Sequence, residues 1–342
     1  MSRAGRILRV HPEAGIPGGE IAIECAEFET RPLRACSVSF QGARAHLVGL
    51  NSRRALAIVP EGLPGGQTEV VLANASASAE PSQLLVGVKL AEDLHPVANP
   101  AFDPDDGSLF VTRSGSRGQQ FPVTIFRIDT NGELSDFSGD ITNPTGIAFD
   151  RQGQMFVTSR LDGIVYRVTP FKEAVAFARN LGVATGLAFD REGQMHVGDR
   201  TGTIYRVNGI GEEKPFAQLE PSVSAYHLAF GPDDALYVTG PTVSSFESVM
   251  RVDQSGEASV FFRGLGRPQG LAFDRNGYLY VAASWRGRRG IVRISPDGRE
   301  AQMAVAGMNV IGLAFGSSGG MAVATNDAIY SLPLGIQGTL LA

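Results

Sequence analysis

One segment recurs six times along the chain, and that periodicity limits the fold more than any other feature. The copies read PAFDPDDGSLFVT (100–112), GIAFDRQGQMFVT (146–158), GLAFDREGQMHVG (186–198), HLAFGPDDALYVT (227–239), GLAFDRNGYLYVA (270–282) and GLAFGSSGGMAVA (312–324). Their central phenylalanines, Phe102, Phe149, Phe189, Phe230, Phe273 and Phe315, are spaced 47, 40, 41, 43 and 42 residues apart. Each copy reads as a hairpin: an apolar strand ending in Ala-Phe, a turn of Asp, Asn and Gly, then a strand rich in β-branched and aromatic residues. A third strand follows, such as TIFRID (124–129) or GIVYRV (163–168), and a fourth, such as VAFARN (175–180) or SVFFRG (259–264). Four strands per repeat predict a β-propeller blade, and six repeats predict six blades. A lone blade cannot bury both faces of its sheet, so the blades must pack side by side around an axis. Either GTLLA (338–342) or VGVKLA (86–91) supplies the strand that closes the ring; the sequence leaves both open.

Composition agrees with this reading. Glycine accounts for 42 of 342 residues, without the three-residue period of collagen, and proline for 19. Many turns and few long helices follow. A net charge of -5 provides no basic footprint for nucleic acid. No apolar run approaches the ~20 residues that span a bilayer, and the start, MSRAGRILR, lacks the apolar core of a signal peptide. The expectation is a cytoplasmic protein, or an exported one whose leader is absent from this sequence, with no membrane insertion. Cys25 and Cys36 lack metal-ligand spacing and are expected as free, packed thiols unless two strands bring them together.

Residues 5–88 carry no repeat. Short alternating strands, EIAIECA (20–26), CSVSF (36–40), ALAIVP (55–60) and TEVVLAN (68–74), alternate with the turns GIPGG (15–19) and GLPGG (62–66). That pattern predicts a small β-sandwich. The order HPEAGIPGGEIAIECAEF, VSFQGARA, AIVPEGLPGGQTEVVLAN resembles the IPT/TIG immunoglobulin-like domain, which in bacterial proteins serves as a spacer or protein-contact module. Cys25 stands where that family usually has glycine. The repeats over 90–342 resemble the NHL-repeat and senescence-marker/gluconolactonase (SMP-30) superfamily of six-bladed propellers. The chain therefore reads as all-β: an immunoglobulin-like sandwich at 1–88, a junction at AEPSQ (79–83), and a six-bladed propeller at 89–342.

The repeat also filters candidate sites. Residues that recur in every blade are expected to be structural; those unique to one blade, at the mouth of the ring, are better site candidates. Arg127, Arg167, Arg206, Arg251 and Arg293 recur on third strands, and Asp103, Asp150, Asp190 and Asp274 follow the Ala-Phe. These are expected to form Arg–carboxylate or Arg–backbone bonds, the sharper alternative being an arginine ring for an anion. The mouth is expected where first strands begin and second strands end. It offers Asn99, Thr145, Arg160, Thr185, Asp199, Arg200, Tyr226, His227, Gln269, Trp285 and Asn326 as ligand-binding candidates. His227 stands where four other blades have glycine and reads as a general base, a metal ligand, or a hydrogen-bonded histidine without chemistry. His196 replaces the Phe156 and Tyr280 of other blades and reads as structural. Trp285, beside Arg286, Arg288 and Arg289, suits stacking against a sugar or a carboxylate, or is simply an exposed turn.

The gluconolactonase resemblance implies a divalent cation held by a glutamate, an asparagine and an aspartate. Ala98, Thr145 and Gln269 stand at those positions, so no carboxylate is supplied there. No GxSxG elbow, the strand-to-helix turn that presents a nucleophilic serine, and no HExxH is found. No catalytic residue, metal ligand or cofactor is assigned. The leading expectation is a non-catalytic scaffold binding a protein or carbohydrate. The alternative is a metal-assisted hydrolase or lyase, sugar-lactonase-like or streptogramin-lyase-like, around His227 and Asp199.

Overall fold

The computed structural model describes residues 5–75, 77–116, 119–240, 242 and 248–339. Among them there is no α-helix, and so none long and apolar enough to cross a membrane; a single 3-10 turn spans Leu33–Ala35.

Six four-stranded antiparallel arrays carry the repeats. Blade 1 comprises Ala101–Phe102, Leu109–Thr112, Ile125–Ile128 and Leu134–Ser138. Blade 2 comprises Pro144–Phe149, Met155–Ser159, Ile164–Val168 and Ala174–Ala178, and blade 3 Ala184–Phe189, Met195–Asp199, Thr203–Val207 and Glu213–Gln218. Blade 4 comprises His227–Phe230, Leu236–Thr239, Ser248–Val252 and Ala258–Arg263, and blade 5 Leu271–Phe273, Leu279–Trp285, Arg288–Ile294 and Ala301–Ala306. Blade 6 comprises Val310–Phe315, Met321–Thr325 and Ile329–Leu332, completed by Val88–Ala91. Each innermost strand touches the innermost strands on both sides, so the ring is closed. Of the two closing strands the sequence left open, Val88–Ala91 takes the place. The segment at 336–339 instead crosses the ends of blades 5 and 6, where Ile336 N–H donates to Gly319 O (3.1 Å).

The Ala-Phe motif has a packing cause. The second-strand aromatic of one blade meets the repeat phenylalanine of the next edge-on: Phe110–Phe149, Phe156–Phe189, His196–Phe230, Tyr237–Phe273 and Tyr280–Phe315, with centroids 4.7–5.7 Å apart. Such pairs contribute about 0.5–1.5 kcal/mol each beyond the area they bury. The turns have a different cause. Asp150, Asp190 and Asp274 each accept two backbone N–H groups of their own turn, at 2.8–2.9 Å. They do not pair with the third-strand arginines, which corrects half of that expectation. Arg127 and Arg251 instead bind Asp106 and Asp233, both at 2.8 Å, while Arg206 and Arg293 lie over Phe216 and Tyr278.

In the N-terminal region, one sheet joins Arg6–His11, Glu20–Ala26, Arg54–Ile58 and His46–Asn51. A second joins Ser37–Phe40, Gly66–Ala73 and Ser82–Val86. Ile21, Ile23, Val38, Phe40, Val70, Leu72 and Leu84 fill one core shared by the two. Cys25 and Cys36 are buried in it and unbridged. AEPSQ is not a linker: Ala79 is buried, and Ser82 already begins a strand. The chain passes from the second sheet into blade 6 through Gly87 alone.

A second tie is invisible in the sequence. Ala14–Gly15 pairs in parallel with Leu85–Val86 on one side and Val305–Ala306 on the other. The second N-terminal sheet thus continues into the outermost strand of blade 5. Ile16, fully buried, inserts its side chain into the core between blades 5 and 6. Glu20 meets Arg288 at 3.6 Å.

Candidate functional site: a cavity on the propeller axis

The propeller has two ends. Turns between first and second strands lie at the hairpin end; the starts of first strands and the loops between second and third strands lie at the loop end. A cavity of about 830 Å³ occupies the axis. Its wall is apolar, made of Ala101, Ala148, Ala188, Ala229, Ala272 and Ala314 with neighbouring Leu and Phe. Its rim includes Asp150, Arg151, Arg191, Asp234 and Arg275, all from hairpin turns. The cavity therefore opens at the hairpin end, opposite to the mouth expected from the sequence.

Toward the loop end the cavity narrows to a ring of first-strand residues. Asn99, Gly146, Gly186, His227, Gly270 and Gly312 hold the same repeat position in the six blades. A Cβ on Gly146 would lie 2.5 Å from Thr185 O, one on Gly186 2.5 Å from Tyr226 O, and one on Gly270 2.5 Å from Gly312 Cα. At these three blades a side chain would collide with the neighbouring blade's backbone, which requires glycine.

Asn99 and His227 break the glycine ring in opposed blades. Asn99 fastens blades 5 and 6: its Nδ2 donates to Leu271 O (2.9 Å) and its Oδ1 accepts from Leu313 N–H (3.1 Å). His227 has no hydrogen-bond partner among the described residues, and it lines the cavity. Burial lowers its pKa to about 4, so the imidazole is neutral at neutral pH, with one donor and one acceptor nitrogen.

At the rim, arginines link successive blades. Arg151 donates to Arg191 O, Arg191 pairs with Asp234 (3.0 Å), and Arg275 donates to Gln337 Oε1 (2.7 Å). The FDR tripeptide at 149–151, 189–191 and 273–275 carried this signal, but the recurrence filter directed attention away from it.

Of the eleven sequence candidates, the cavity gathers Asn99 and His227 only. Thr145, Thr185, Tyr226 and Asp199 are buried at the loop end. Thr185 Oγ1 donates to Gly198 O and accepts from Tyr226 N–H, each at 3.0 Å. The Tyr226 hydroxyl donates to Glu220 O, and burial pushes its pKa up to about 12. Asp199 accepts from Val183 N–H (2.8 Å) and from both Thr201 N–H (3.1 Å) and its hydroxyl, which makes it a loop cap. Arg160 donates to Gly115 O, and burial followed by the Arg200 charge lowers its pKa. Arg200 and Asn326 are exposed. The Gln269 carbonyl accepts from Thr239 Oγ1, part of a set that fastens neighbouring blades: Thr112 Oγ1 donates to Thr145 O (2.9 Å) and Thr158 Oγ1 to Thr185 O. Trp285 stacks under Arg286 (4.3 Å) at the loop end of blade 5. Most of GPTVSSFES (240–248), and residues 117–118 of RSGSRGQQFP, lie outside the described residues.

For a metal, no group of three His, Cys, Asp or Glu side chains converges among the described residues. Ala98 lines the cavity without a donor side chain, and Thr145 and Gln269 lie outside it. The donor set does not fit a bound divalent cation.

No family model matches this chain, and no curated protein matches it. Solved structures do. A gluconolactonase from Xanthomonas campestris is 18% identical, with a TM-score of 0.61 over 72% of this chain and 89% of its own. An auxiliary nutrient binding protein from Bacteroides thetaiotaomicron is 14% identical, with a TM-score of 0.56 over 96% of this chain and 97% of its own. A streptogramin B lyase is 13% identical, with a TM-score of 0.51 over 86% and 97%. These likenesses establish a propeller fold; at such identities they carry the fold alone.

Proposed function

We propose that this chain is a non-catalytic binding protein: an IPT/TIG-like sandwich at 1–88 fused to a six-bladed SMP-30/NHL-like propeller at 89–342 that binds a protein or carbohydrate ligand. The observation that carries this reading is the axial cavity, whose alanine, leucine and phenylalanine lining includes the imidazole of His227, unpartnered among the described residues. Its size falls within the range of ligand pockets, ~300–1,000 Å³. A nutrient-binding neighbour matched over 96% of the chain is compatible with this reading.

The test is calorimetry of the purified chain against a panel of oligosaccharides and peptides, repeated with Ala229→Trp, which fills the wall. Binding abolished by Ala229→Trp, at unchanged melting temperature, is the expected result. Binding that survives it moves the site elsewhere.

One observation favours a second reading, a lyase or hydrolase. The His227 imidazole lines the cavity and is neutral, so one ring nitrogen is free to accept a proton, although burial makes it a weak base. Turnover of a lactone or cyclic peptide that disappears in His227→Gly would establish that reading over binding.

A further inference from the structure

The innermost strand of each blade has one edge paired within its sheet and one edge facing the axis. Turn hydrogen bonds set which groups face where. Asp150 N–H donates to Gln154 O, Asp190 N–H to Gln194 O, Gly231 N–H to Ala235 O and Asp274 N–H to Tyr278 O. Bonded positions alternate along an antiparallel ladder, so Ala148, Ala188, Ala229 and Ala272 point their backbone groups into their own sheets. The residues on either side, Ile147 with Phe149, Leu187 with Phe189, and Leu228 with Phe230, point theirs at the cavity. Unpaired edges of this kind are templates for another strand.

At blades 5 and 6 part of this edge is already used. Asn99 takes Leu271 O and Leu313 N–H. Segment 337–339 takes more of blade 5: Gln337 O accepts from Arg275 N–H (2.9 Å) and Thr339 N–H donates to Phe273 O (3.1 Å), an antiparallel bridge centred on Asp274 and Gly338. Gly338 is required there, because a Cβ would lie 2.5 Å from the Phe315 Cβ. Gly338 and Thr339 line the cavity. The chain thus displays, at one blade, an extended segment paired with an axial edge. The innermost strands of blades 2, 3 and 4 pair only with the second strand of their own sheet.

Resting on the binding reading above, we propose that the ligand is an extended polypeptide segment, held in the cavity by strand addition to one of the open edges of blades 2–4, as segment 337–339 is held at blade 5. Backbone bonds supply affinity in that mode, and the shallow alanine wall admits a chain with small side chains.

The probe is a synthetic peptide of residues 333–339, PLGIQGT, titrated into the full chain with alanine methyl groups observed by NMR. Saturable shifts among Ala148, Ala188 and Ala229 are expected. N-methylation of the peptide backbone should weaken binding about tenfold per blocked amide, the equivalent of one lost hydrogen bond. Gly338→Val, which expels the bound segment, should add Ala272 to the shifted set. Equal binding of the N-methylated peptide overturns strand addition. If maltoheptaose shifts these alanines and the peptide does not, the polypeptide class is overturned while the binding reading stands. If neither moves them and the wider ligand panel is also silent, both readings fall.

Discussion

Two histidines in equivalent surroundings show how much one position decides. His196 fills an aromatic slot: its ring meets Phe216 and Phe230 edge-on, its Nε2 accepts from Arg206 Nε (3.2 Å), and burial lowers its pKa to about 4. The sequence showed this role directly, because Phe156 and Tyr280 occupy the slot elsewhere. His227 fills a glycine slot in the first-strand ring that lines the cavity, with the same lowered pKa. Both folded pKa values lie below the unfolded 6.5, so both groups stabilise the fold above pH 6.5 and lose that contribution as pH falls through about 4. The melting temperature should therefore drop over that window, and His196→Phe should flatten the drop; a pH scan by calorimetry checks this. His227→Gly, which four other blades already tolerate, should fold with stability changed by less than about 1 kcal/mol. Gly270→Ala should lose more than about 2 kcal/mol in urea unfolding, because its Cβ would meet Gly312 Cα at 2.5 Å.

At the scale of strands and turns, the repeat made the blades legible, because hairpin chemistry is local: Asp caps, positive-φ glycines and alternating apolar residues all sit within a few positions of one another. What escaped was long-range pairing. Ala14–Gly15 is two residues long, yet it joins two sheets, and nothing in the local pattern of GIPGG announces a partner at Val305–Ala306. The same limit misplaced the junction, since the polar AEPSQ looks like a linker although the strand Ser82–Val86 begins inside it. Ile16 is the energetic centre of this joint. Ile16→Ala should cost about 2–4 kcal/mol, and calorimetry of the whole chain should show one unfolding transition. Two separated transitions would mean that the modules melt independently.

Across the whole molecule, the propeller has two ends, and function follows from which of them carries the site. The sequence located the first-strand ring, because the break in the glycine pattern at His227 was visible. It did not locate the opening. Polar diversity at Thr145, Thr185, Tyr226 and Asp199 looked like a solvated funnel, but those side chains are buried: Thr185 bonds across to blade 4, Asp199 caps a loop of its own blade, and the Thr145 hydroxyl has no partner among the described residues. Two intrinsic reporters separate the two candidate regions: His227 lines the cavity, and Trp285, the only tryptophan, lies outside it at the loop end of blade 5. Their ring resonances can be followed by NMR in a single titration with any ligand the panel yields, the His227 signals being assigned by their loss in His227→Gly. A ligand that shifts the His227 ring and leaves the Trp285 indole unmoved is the predicted result. A ligand that shifts Trp285 and leaves His227 unmoved would contradict a binding site at the hairpin end of the propeller.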